Sequence, residues 1–329
     1  MSQFKINSIT DKTGTSGPVI AGVSTNNSTG CMIIPAGPTE HRGGRGRGVV
    51  AGGRDASNPH VDTMDLIEIV TAGNATDFGN LTISGRDYPS GCGSPTRGVF
   101  FAGAEPGFRN VIDYVVMSSS GGASDFGDML ISPLANFALS NATRGITAGG
   151  LTAPTPSYTK NKSIEFIVMA STGDSSDFGD LTEFNSSAAT CASPTRGIFN
   201  QGSVPTYKKT IEYITIATGG NATRFGDSTK AGAGGPAGAS SVTRGVFAGG
   251  QHDNPYPLSD IIDYITIATE GNAIDFGDLA AATVQASGLS NSIRGLFAGG
   301  SSPNKTNVIS FVTIASTGNA SDFGDLTVA

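Results

Sequence analysis

Tryptophan is absent from this 329-residue chain, which has three cysteines, three histidines and only 14% charged residues. Each scarcity removes a class of explanation. Three cysteines cannot form a closed disulfide set: Cys92 and Cys191 each stand five residues before an arginine, as equivalent small positions, and Cys31 lies apart near the N-terminus. His41, His60 and His252 are too few and too scattered for a histidine-based metal site or a triad, so no metal and no catalytic residue is expected. No P-loop or Rossmann fingerprint occurs, because the glycine pairs close short apolar runs and do not open helices, and no cofactor is expected. No Lys/Arg run marks a nucleic-acid surface beyond the small group Arg42, Arg45 and Arg47, and no apolar run nears the roughly eighteen residues of a membrane span. Met1 is not followed by a charged start and an apolar core, so a soluble product made in a reducing cytoplasm is expected. The chain reads as a non-enzyme.

What is present in quantity is glycine, 47 residues, together with 37% apolar content that excludes bulk disorder. Net charge is −7, but ten of the 27 acidic residues are aspartates of one recurring segment, Asp-Phe-Gly-Asp, so the acidity reflects turn chemistry. Arg47, Arg97, Arg144, Arg196, Arg244 and Arg294 each open an Arg-Gly-apolar run, at intervals of 47 to 52 residues. Phe78, Phe126, Phe178, Phe225, Phe276 and Phe323 mark the recurring partner segment. A sustained period of this length predicts one supersecondary unit copied and stacked.

The best-preserved copy has Arg244 to Gly250, a polar loop, Asp260 to Thr269, and then Glu270 to Leu279. The first run is short and closed by a glycine pair. The second is apolar on both alternating faces, as in a sheet covered on both sides. Small residues precede every repeat arginine after the first, as in Ser90 to Ser94 and Ala237 to Ser241, and suit a strand where sheets converge. The unit is therefore an antiparallel meander of small strand a, Arg-Gly strand b, apolar strand c and Phe-containing strand d. Six such sheets bury both faces if arranged radially, which predicts an all-β, six-bladed β-propeller. Its blades are expected at about 38–83, 84–131, 132–183, 184–229, 230–280 and 281–329, after a short β-rich extension over residues 1–37.

These elements resemble the kelch repeat family: an apolar run ending in a double glycine (Gly52-Gly53, Gly149-Gly150, Gly249-Gly250, Gly299-Gly300), an acidic-aromatic pair (Asp113-Tyr114, Glu165-Phe166, Glu212-Tyr213, Asp263-Tyr264), and a large aromatic twelve residues later. Phe stands where kelch repeats commonly carry Trp, and copies two and four depart at the double glycine, with Gly103-Ala104 and Gln201-Gly202. The resemblance implies a kelch-like propeller, a fold that binds many partners. The repeat arginine and the strand-c acid are expected to pair structurally. The Asp-Phe-Gly segments read as Asp-capped turns with Phe as core anchor in preference to calcium loops.

From the strand-c residue (Leu66, Tyr114, Phe166, Tyr213, Tyr264, Phe311) to the strand-d Phe the spacing is twelve in all copies, whereas from Arg to strand c it runs from 17 to 22. Length variation is thus concentrated in the b–c loop, on one face of the expected disc. The candidate binding residues are those these loops carry: Tyr158, Lys160 and Lys162; Tyr207, Lys208 and Lys209; His252 and Tyr256. Aromatic rings beside hydrogen-bonding groups suit a glycan or a protein surface. The sequons at Asn74 and Asn221 fall in c–d turns and need no glycosylation to explain them.

Residues 1 to about 37 do not match the repeat. Phe4 to Ile9, Pro18 to Val23 and Gly30 to Ile34 read as short strands, with Asp11 to Gly17 and Ser24 to Thr29 as turns. The stretch Glu40 to Gly44 is expected to supply strand a of the first blade. Combined with the repeat wording, the Phe4-Lys-Ile-Asn-Ser-Ile-Thr start resembles kelch-like structural proteins of marine tailed bacteriophages. That resemblance implies a virion tail, fibre or capsid-decoration protein, made in the host cytoplasm and present in several copies. Its implied partners are other virion proteins, through the N-terminal extension, and a host-surface glycan or protein. The alternatives are a cellular kelch-like protein-interaction scaffold and, third, a propeller lyase or hydrolase.

Overall fold

The computed structural model describes residues 24–25, 32–33 and 46–328, the last range without 56, 58–59, 105–106, 153–158, 201, 204–207, 253–256 and 303. Contacts divide the chain into Met1–Glu40 and His41–Ala329. In the first portion Ser24–Thr25 pairs antiparallel with Met32–Ile33. Met32 and Ile33 fall within an expected strand, whereas Ser24 and Thr25, expected in a turn, form the opposing strand. The other expected strands of this portion, Phe4 to Ile9 and Pro18 to Val23, lie outside the described residues.

The second portion is all-β, with no helix among the described residues. Copy two forms a meander of Ser90–Gly93, Arg97–Phe101, Val111–Val116 and Ser124–Asp128, paired in the order a, b, c, d. Copies three, five and six repeat that order, with strands a at Phe137–Ser140, Ala237–Ser240 and Ser287–Ser290. Copy four, with strand a at Ala189–Ala192, gains a fifth strand because its strand d, Thr223–Gly234, runs on to pair with Gln251–His252 of copy five. Copy one is described as Arg47–Ala51, Thr63–Glu68 and Thr76–Asn80. Its expected strand a, Glu40 to Gly44, lies outside the described residues.

Strands a carry small residues where neighbouring strands a approach through their backbones, although copy three has Phe137 and Leu139 there and copy six Leu289. A Cβ on Gly238 would fall on the carbonyl of Thr190, and one on Gly288 on the carbonyl of Gly238. Apolar side chains fill the gap between each pair of successive sheets. The strand-d phenylalanines anchor these layers: Phe126 packs with Ile167 and Met169 of the next copy, and Phe276 with Phe297 and Val312. All six of these rings are at most 4% exposed, each contributing on the order of 1.5–3 kcal/mol of burial.

The glycines of the c–d turns and of the Asp-Phe-Gly segments have a different task. Gly121, Gly173, Gly220, Gly271 and Gly318, in the c–d turns, donate their N–H to the carbonyls of Phe78, Phe126, Phe178, Phe225 and Phe276 on the preceding copy's strand d. The next turn residue but one adds a second bond, as in Ser175 N–H to Asp128 O at 2.9 Å. Each outer strand edge is thereby covered by the following copy, which removes an exposed pairing template. The fit leaves no room for a side chain: a Cβ on Gly127 would lie 2.5 Å from the Gly173 carbonyl. Turn asparagines add a third bond. Asn221 Oδ1 accepts from Asp180 N–H at 3.0 Å and Asn74 Oδ1 from Asp325 N–H at 3.1 Å, which accounts for both sequon asparagines.

The same contacts join copy six to copy one. Gly73 N–H donates to Phe323 O at 2.8 Å, Ala75 N–H to Asp325 O at 2.7 Å, and Phe323 packs with Ile67 and Ile69. The order of sheet contacts is cyclic.

The repeat arginines do not pair with the strand-c acids, contrary to the expectation from sequence. Each guanidinium from Arg97 to Arg294 stacks 4.3–5.1 Å over its own strand-c ring, which meets the strand-d Phe edge-on. Its Nη1 then donates to a carbonyl of the next copy, as Arg97 does to Met169 O at 3.0 Å and Arg294 to Val70 O at 2.8 Å. The acids face elsewhere because every strand c carries a bulge at that point, for instance between Ile262 and Asp263. Bulging re-aims the carboxylate into the sheet interface. There it accepts from the threonine four residues after the strand-d Phe of the preceding copy: Thr82 for Asp113, Thr182 for Glu212, Thr229 for Asp263 and Thr327 for Asp65. Where Leu130 replaces that threonine, Ser175 Oγ supplies the bond to Glu165 at 2.5 Å. Where Ser310 replaces the acid, Ala280 stands opposite.

The double glycine of copy two also needs a correction. Counting from Arg97, its equivalents are Ala102 and Gly103, and Ala102 adopts the φ of +53° that glycine has elsewhere.

Burial pushes the Glu165 and Asp263 carboxyls above their ordinary values, against the opposing hydrogen bonds from Ser175 and Thr229. A carboxyl with a raised folded-state pKa binds its proton more tightly in the native state, so its contribution to stability is present at low pH and lost as pH rises past the ordinary carboxylate range near 4.3. Glu165→Gln should therefore gain stability relative to wild type between about pH 4.5 and 7 as pH rises. Urea titrations across that interval check this, and a pH-independent difference refutes it.

Candidate functional site

One side of the sheets, formed by a–b and c–d turns, is occupied by the arginine and glycine contacts described above. On the other side the b–c loops meet the connections that lead from strand d to the next strand a. The second residue of each glycine pair crosses to the next copy there: Gly53 N–H donates to Arg86 O, Gly150 to Asn185 O and Gly250 to Thr283 O, each at 2.8 Å.

Two residues before each described strand a stands a residue of positive φ: Tyr88 (+53°), Ala135 (+56°), Ser187 (+54°), Gly235 (+73°) and Gln285 (+60°). Their backbones are linked in series. Ser187 N–H donates to Ala135 O at 2.8 Å, Gly235 N–H to Ser187 O at 2.9 Å and Gln285 N–H to Gly235 O at 2.8 Å. All five line a cavity of about 530 Å³ at the loop-side end of the inner strands. Below it, strands a line a narrower space of about 300 Å³.

The architecture is propeller-like. YjhT, a solved structure, superposes with a TM-score of 0.63 over 84% of this chain and 95% of that one, at 12% sequence identity. A likeness at that identity carries the fold alone. No protein-family model and no curated protein matches the chain.

Arg54 Nε donates to Asp87 Oδ2 at 2.7 Å, and Lys305 Nζ to the carbonyl of Asp55 at 2.5 Å. Two cations, Arg54 and Lys305, stand against three carboxylates, Asp55, Asp65 and Asp87. The groups left facing the opening are Tyr88, Gln285 and Ser287, all exposed, with Gln285 Nε2 donating to Tyr88 Oη at 3.1 Å.

The candidate residues expected from sequence are placed differently. Tyr158, Tyr207 and Tyr256 lie outside the described residues. Lys160 sits in the short strand Thr159–Lys160, paired with Leu151–Thr152, which pairs in turn with Pro133–Leu134. Lys162 pairs with Asp180 at 3.1 Å, and Lys209 Nζ donates to Thr229 O at 3.0 Å, so both are held against the strand d of their own copy. Lys208 and His252 are brought together, since Lys208 and His252 both pair with Gly232 from opposite sides. Lys160, Lys162, Lys209 and His252 do not line the cavity.

Sequence reasoning missed the cavity residues because it followed loop length, and the d–a connection barely varies in length. The available signal was side-chain identity. At one fixed offset before strand a the copies carry Tyr, Ala, Ser, Gly and Gln, and the residues on either side differ between copies as well.

Proposed function

We propose that the chain is a non-enzymatic, six-bladed kelch-like propeller that serves as a structural component of a tailed-phage virion and presents its loop-bearing face for binding. One observation carries this reading: the repeated side chains are engaged in contacts between copies, while the residues that differ from copy to copy gather on the opposite face. A surface whose scaffold is uniform and whose rim is diversified suits recognition. The N-terminal extension, residues 1–37, is assigned to docking on other virion proteins, and the face to a host-surface glycan or protein. Repeat wording shared with phage kelch-like proteins supports the particle assignment.

Mass spectrometry of purified virions from the host that carries this gene tests the assignment. Peptides from the repeat region should co-purify with the major structural proteins. Their absence from particles, with the protein present in cell extract, rejects the virion role in favour of a cellular interaction scaffold.

A further inference from the structure

A non-glycine residue at positive φ is strained relative to glycine. Of the five non-glycine residues at positive φ among the described residues, four, Tyr88, Ala135, Ser187 and Gln285, surround one cavity, and the fifth, Ala102, lies elsewhere. Copy five holds Gly235 at the same place, with the same backbone bonds to its neighbours, so the fold accommodates glycine there. Side chains at the other positions are therefore not required by the backbone. Strain retained where a relaxed alternative is compatible points to the side chains themselves.

We propose that the cavity is a binding site for a neutral saccharide residue, contacted by Tyr88 and Gln285. This deepens the reading of the loop face as a binding surface and rests on it. Four features select the ligand class. The volume of about 530 Å³ lies within the range of small-molecule sites. Tyr88 offers a half-exposed aromatic ring, whose face packs against the apolar C–H face of a pyranose. Gln285 and Ser287 offer exposed donors and acceptors matched to hydroxyl groups. Carboxylates outnumber cations in the lining by three to two, and Arg54 is paired with Asp87, which disfavours phosphate, sulfate or carboxylate ligands.

The Gln285–Tyr88 hydrogen bond crosses the opening between copies six and two. A ligand hydroxyl can take the place of either partner in it, so the two side chains are already held near a binding geometry.

Glycine substitution gives a test in which misfolding does not compete. Tyr88→Gly and Gln285→Gly relieve backbone strain, so each variant should melt at or above the wild-type temperature. Saturation-transfer NMR and calorimetry on the full chain, with methyl glycosides of glucose, galactose, mannose and N-acetylglucosamine, should detect saturable binding of at least one. That binding should weaken at least tenfold in each variant. Sialylated and sulfated glycosides serve as controls. Binding that survives in both variants, binding confined to the acidic probes, or no binding of any neutral glycoside at 20 mM (on the order of ten times a weak millimolar Kd) overturns the proposal. A failure here leaves the virion assignment to stand or fall on particle composition, so the two readings are separable.

Discussion

Gly127→Ala should abolish cooperative folding or destabilise the protein by about 4 kcal/mol or more, while Gly173→Ala should cost only about 1–2 kcal/mol. Both glycines hold nearly the same backbone conformation, φ +148° and +150°. They differ in what a methyl group would meet. At Gly127 it would lie 2.5 Å from the backbone of Gly173, whereas at Gly173 nothing among the described residues comes within 4 Å. The shared conformational penalty cancels in the comparison, so the difference isolates the close approach between copies two and three. The obstructing atoms are main chain and cannot rotate away. Thermal and urea denaturation of the two variants measure it, and equal losses would show that backbone conformation alone explains the glycine.

Asp113→Ala should cost about 3–5 kcal/mol, because it strands a buried guanidinium. Arg86 and Asp113 have fully buried side chains and meet at 2.5 Å. Arg86 also donates to the carbonyls of Ala102, Phe100 and Val111, which tie the connection before strand a to strands b and c of the same copy. Burial pulls the Arg86 guanidinium below its ordinary value, while the Asp113 carboxylate opposes that shift. Removing the carboxylate leaves only the unfavourable part. Replacing both residues, as Arg86→Met with Asp113→Leu, should be less destabilising than Asp113→Ala alone, since no isolated charge then remains. Denaturant midpoints of the two variants decide the matter, and a double variant as unstable as the single one would refute the account.

Arg86 illustrates what sequence could and could not convey. The strands were legible because their signals are local: small residues for strand a, Arg-Gly for b, an apolar run for c and Phe-Gly for d. Pairings between copies were not legible, because a bulge in strand c turns each acid away from the arginine beside it on strand b. Asp113 consequently meets Arg86, a residue outside the repeat frame, and Arg97 reaches Met169 O in the following copy. Among the candidate residues, Lys162 and Lys209 read as presented cations, yet each lies within reach of its own strand d. The cavity escaped notice for a geometric reason. Nothing in the letters Tyr88, Ala135, Ser187 and Gln285 announces positive φ, a conformation imposed by the turn into strand a.

The contacts between copies six and one set an order on biogenesis. Thr327 binds Asp65 across 262 residues, so the carboxylate of the first sheet waits for its partner until the sixth copy has been made. Until then the outer edge of copy five or six and the c–d turn of copy one face solvent, and both are open pairing surfaces. Contacts this distant in sequence make the last step slow relative to the local hairpins. A chain that stops one copy short has two unmatched edges of complementary shape, one at each end. Such fragments would join to one another, end to end, more readily than they would shut on themselves.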